Sequence, residues 1–113
     1  MITVNTISKQ IKTCKGDSFY TYFQIKGYKI KGDETVTLSI RKDFSDSSEV
    51  LVTHKCDIDE RNNIILAYIP KEKMSILNVG EYYYDIVMNR TDGFHISLVN
   101  ASKIFVLGVA HSD

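Results

Sequence analysis

At 113 residues the chain fits one domain, residues 1–113, and folding at that length buries roughly two-thirds of the surface the unfolded chain exposes. Apolar residues make up 43% and charged residues 25%, the balance of an ordinary globular domain. Lys and Arg total 14 and Asp and Glu total 14, which argues against a nucleic-acid or anionic-membrane partner, because such partners need a basic excess to displace counterions.

Thr3 to Ile11 reads as a first strand, with Val4 or Ile7 and Ile11 supplying apolar contacts. Lys15-Gly16-Asp17 marks a turn. Phe19 to Lys26 then alternates with period two: Phe19, Thr21, Phe23 and Ile25 on one face, Tyr20, Tyr22, Gln24 and Lys26 on the other. A short link runs from Lys26-Gly27-Tyr28 to Lys31-Gly32-Asp33. The second Lys-Gly-Asp reads, like the first, as turn chemistry. Thr35 to Lys42 has the strongest alternation, with Val36, Leu38 and Ile40 inward. A polar loop at 43–48 precedes a strand from Glu49 to Lys55, and Asp57 to Asn62 reads as another loop.

Asn63 to Ile69 is a strand apolar on both faces, so it is expected inside a sheet with its inward face unassigned. Pro70 ends it, and the Pro70–Leu77 stretch predicts one helical turn near 71–76, with proline at its first position. Leu77-Asn78-Val79-Gly80 is then a corner, and Glu81 to Asn89 a strand with Tyr82, Tyr84, Ile86 and Met88 on one face and Tyr83 on the other. Arg90-Thr91-Asp92-Gly93 signals a hairpin. Phe94 to Val99, a polar link at Asn100-Ala101-Ser102 and Lys103 to Ala110 complete the chain. This spacing predicts an all-β antiparallel sandwich of seven to eight strands.

No uninterrupted apolar segment with a cleavage site opens the sequence, and no apolar run approaches the roughly 20 residues that span a bilayer. The expectation is a chain made in a cytoplasm, with Cys14 and Cys56 reduced and the sequons at Asn89 and Asn100 fortuitous. His54 and Cys56 form a His-x-Cys pair without a second pair to complete a zinc site. The acidic groups Asp43, Asp46 and Glu49, and Asp57, Asp59 and Glu60, lack the alternating ligands and central glycine of a calcium loop. No nucleophile elbow, phosphate-cradling loop or His-Glu-x-x-His occurs, so neither catalytic residues nor a cofactor nor a metal is assigned. Tyr20, Tyr22 and Tyr83, outward on their strands, are the candidate partner-binding residues, because tyrosine buries a large area while keeping a polar tip.

A tyrosine just past Leu-x-x-Gly resembles the tyrosine corner of immunoglobulin-like (Ig-like) sandwiches. Three segments extend the resemblance: Lys15-Gly16-Asp17-Ser18-Phe19, Thr35-Val36-Thr37-Leu38-Ser39-Ile40-Arg41 and Leu77-x-x-Gly80-x-Tyr82-x-Tyr84-Asp85-Ile86. Together they resemble small Ig-like structural proteins of tailed bacteriophages and prophages, over about residues 11 to 109. The resemblance implies a non-catalytic virion component of the tail, baseplate or fibre-attachment region. Such a component is made in the bacterial cytoplasm, then built into the virion as a homo-oligomer or in a larger assembly with other phage structural proteins. The antibody pattern is absent, since there is no tryptophan and Tyr84 stands where the second sandwich cysteine would be. The alternative is a module that binds a host surface or carbohydrate through exposed aromatics, a reading weakened by the missing tryptophan.

Overall fold

The alternation along the chain resolves into two packed sheets. The computed structural model describes residues 3–5, 11–43 and 49–108. A four-stranded sheet holds β1 (Thr3–Asn5), β3 (Phe19–Lys26), β7 (Ile64–Ile69) and β6 (Asp57–Asp59) in the order β1-β3-β7-β6. A five-stranded sheet holds β2 (Ile11–Cys14), β9 (His95–Leu107), β8 (Gly80–Asn89), β4 (Thr35–Arg41) and β5 (Val50–Lys55) in the order β2-β9-β8-β4-β5. All pairings are antiparallel except β2 with β9. This is an Ig-like sandwich, with one helical turn, α1 (Lys71–Met74), on the crossing from β7 to β8.

The inward residues of β3 and β4 form the core, as their period predicts: Phe19, Phe23 and Ile25 from one sheet, Val36, Leu38 and Ile40 from the other. Ile65, Ala67 and Ile69 of β7 face them, and Tyr82, Tyr84, Ile86 and Met88 of β8 close the interior with Ile104 and Val106 of β9. Each aliphatic side chain removed from water contributes about 1.5–3 kcal/mol, so this apolar layer is the main force holding the sheets together.

Nine strands occur among the described residues, against seven to eight expected, and the differences have local causes. The single first strand expected at 3–11 divides between the sheets, β1 pairing with β3 and β2 with β9. Residues 6–10 and the side chains of Val4 and Ile11 lie outside the described set, as do Asp46 and the tail from Val109. Asp57–Asp59, expected as loop, is a short edge strand on β7. The polar link at 100–102 is a bulge inside one continuous β9. Ala101 takes φ 53°, and its amide donates to Asp85 Oδ1 at 2.7 Å, which satisfies the group the bulge displaces from the ladder. Pro70 occupies the N-cap of α1, one position earlier than expected, and its carbonyl accepts from the Lys73 and Met74 amides.

The corner has the expected geometry. Tyr82 Oη donates to the Asn78 carbonyl at 2.9 Å, and Lys42 Nζ sits 4.8 Å from its ring centroid. Gly80 opens β8 at φ +158°. Lys15 Nζ donates to the Ser75 and Leu77 carbonyls at 2.6 and 2.7 Å, tying the first Lys-Gly-Asp turn to this crossing. Tyr84, at the place of the missing cysteine, is buried with Ser102 as its hydrogen-bond partner, and burial pushes its phenol up to about 12.

Candidate functional site

Strand parity decides which side chains a sandwich presents to solvent, and sheet membership decides which of them meet. Tyr20 and Tyr22 of β3 point out of the four-stranded sheet and are 61% and 48% exposed. β3 pairs with β7 so that Tyr20 stands opposite Tyr68 and Tyr22 opposite Leu66. Tyr68 is 49% exposed, and its ring meets that of Tyr20 edge to face at 6.4 Å between centroids. The row continues on β6, where Asp57 lies opposite Leu66 and Asp59 opposite Ile64. One continuous outer face therefore carries three tyrosines, two half-buried aliphatics and an acidic border.

Tyr83 is not part of it. It projects from β8 on the outer face of the five-stranded sheet, half-buried, opposite Arg41 on one side and Lys103 on the other. Its hydroxyl donates to Glu81 Oε1 at 3.2 Å, and Lys103 Nζ approaches the same oxygen at 3.2 Å. On the same face Arg41 Nε meets Asp85 Oδ2 at 3.0 Å. The sequence thus singled out two residues that share a face and one that belongs to the opposite side of the sandwich. It left out Tyr68 and Asp57. Tyr68 was hidden because β7 is apolar on both faces, although the alternative set Ile65, Ala67 and Ile69 is the purely aliphatic one and so better suited to the interior.

Sheet edges offer less. β6 is three residues long, and β1 and β2 are described over three and four residues. β5 is longer, but Lys73 Nζ donates to its Thr53 carbonyl at 3.2 Å, an amine set against an open edge in the manner of strands protected from further pairing. Between β5 and α1 lies a shallow groove of about 290 Å³ lined by Leu51, Val52, Thr53, Glu72, Lys73 and Ile76.

The loop end joining β3 to β4 and β8 to β9 is held internally. Glu34, 7% exposed, accepts from Tyr28 Oη at 2.6 Å and from the Lys31 and Gly32 amides at 2.8 Å each. Burial raises its carboxyl, but these donors together outweigh it and hold the group below the usual glutamate value. Tyr28 stacks on Phe94, and Arg90 lies over Phe94 while bonding Asp92 and the Tyr28 hydroxyl. Asn63, at φ 59°, donates to the Ile25 and Tyr28 carbonyls and accepts from the Ile30 amide.

Groups that read as weak chemical candidates stay dispersed. Cys56 is buried and free, and burial pushes its thiol up to about 11, so it behaves as a small apolar side chain. Burial first, and then the nearby Lys73, hold His54 below the ordinary imidazole value. Among the described residues no three His, Cys, Asp or Glu side chains are grouped to hold a metal ion, and no helix is long and apolar enough to cross a membrane. No family model matches the chain, and no curated protein does so significantly.

Proposed function

We propose that this chain is a non-catalytic assembly module of a tailed phage or prophage particle, docking on another structural protein through the outer face of its four-stranded sheet. The observation that carries the docking role is the cluster of Tyr20, Tyr22 and Tyr68 on one exposed face. Tyrosines bury a large amphipathic area with few rotors to immobilise, which favours them at protein interfaces. The short β6 edge and the amine set against β5 favour this face over strand addition there as the route to a partner. The particle setting is supported by the Gly16-Asp17, Val36-to-Arg41 and Leu77-to-Ile86 resemblance.

The test is particle retention. Tyr20→Ser with Tyr22→Ser should fold with an unchanged melting temperature yet be lost from gradient-purified particles that retain the parent chain. Parent chain absent from those particles would remove the virion setting, and full retention of the double variant would remove the face. A glycan-binding assay on the isolated chain separates the other class of function, since saturable sugar binding by a monomer would favour a carbohydrate module.

A further inference from the structure

We infer that the partner covering the tyrosine face presents an arginine set among apolar side chains, an inference that rests on the docking role proposed above. The pairing registers place Tyr22, Leu66 and Asp57 in one row across β3, β7 and β6. Adjacent strands lie about 4.8 Å apart, so the row runs roughly 10 Å from an exposed aromatic ring to a carboxylate with an aliphatic surface between them. Asp59, in the next row, is held by the Asn62 amide and side chain at 3.1 and 2.8 Å. Asp57 is exposed, and its carboxylate acts on nearby His54, favouring the charged imidazole.

An arginine fits that row along its length. Entering from the tyrosine end, its methylenes lie against the Tyr22 ring and Leu66, and its planar fork reaches Asp57 to pair with both carboxylate oxygens. Lysine offers the methylenes and the charge but not the fork. Among the described residues the other outward charge on the paired strands is Lys26, in register with Thr3 at the far end of β3, which repels a cation there and so orients the partner. An acidic surface would instead meet Asp57 and Asp59 directly.

The acidic border argues against a second copy of this chain as the occupant, since two copies meeting through this face would set Asp57 and Asp59 against their like charges unless the copies were turned to avoid it.

Titration of the isotope-labelled full chain with a peptide of alternating leucine and arginine, and with its leucine–glutamate counterpart, tests the inference by NMR. The arginine peptide should shift amides of β3, β7 and β6 and bind the more tightly. Asp57→Lys, at an exposed position, should weaken that binding about three- to tenfold at an unchanged melting temperature. Asp57→Asn should fall between the two. Equal binding of both peptides, indifference to Asp57→Lys, or self-association of the chain through this face would overturn the inference. Loss of particle retention in the tyrosine double variant together with indifference to Asp57→Lys would overturn the arginine alone and leave the docking face standing.

Discussion

The two outer faces of this sandwich differ in how their polar side chains are met. On the five-stranded sheet the charges answer one another: Arg41 meets Asp85, which also caps the Ala101 amide, and Glu81 meets both Lys103 and Tyr83. On the four-stranded sheet Asp59 is held by Asn62, but Tyr20, Tyr22 and Tyr68 stand open beside Asp57, with one ring contact and a long bond from the Tyr68 hydroxyl to Ser18 Oγ at 3.4 Å. A face whose polar groups are already satisfied must break those bonds to dock. A face of open rings gives up only water. Tyrosine content alone therefore does not locate an interface, since Tyr83 sits among partners supplied by its own sheet.

That contrast can be broken or sharpened by substitution. The largest effect belongs to the inner side of β8: Tyr84→Ala should cost about 3–5 kcal/mol in denaturant unfolding, since it empties a fully packed site. Its neighbour Tyr83→Ala, on the paired outer face, should cost about 1 kcal/mol or less. Tyr82→Phe removes only the corner hydroxyl and should cost about 1–3 kcal/mol; an unchanged unfolding midpoint would show that the bond to Asn78 contributes nothing.

Glu34 gives a pH test of the internally satisfied loop end. Its folded-state carboxyl lies below the unfolded value, so between those two values the unfolded chain binds more protons. The stability it contributes is full above the unfolded value and is lost as pH falls through the folded one. Glu34→Gln should flatten that acid limb of the melting temperature, and an identical limb in parent and variant would place the acid sensitivity elsewhere. Smallest of all, Tyr20→Ser and Tyr22→Ser should each change stability by no more than about 0.5 kcal/mol. A larger loss would mean these rings support the fold and are not held ready for a partner.

How much of this was legible in the sequence varies by strand. β3 and β4 announced themselves because their two faces differ in chemistry, and the corner was readable because Leu77, Gly80 and Tyr82 are fixed by backbone geometry. β6 was not, since three residues of the pattern Asp-Ile-Asp are too few to show a period. The bulge at Ala101 looked like a link because the residue that satisfies it, Asp85, lies sixteen positions away. For the site, parity found Tyr20 and Tyr22 outward. It could not say that Tyr83 belongs to the other sheet, nor bring Tyr68 and Asp57 alongside, because those facts depend on which strands pair.

Hydroxyl-radical footprinting of the chain, free and within purified particles, tests the contrast between the faces most directly. Tyr20, Tyr22 and Tyr68 should lose reactivity on incorporation while Tyr83 keeps the rate it has in the free chain. Protection of Tyr83 with the other three unchanged would contradict the account.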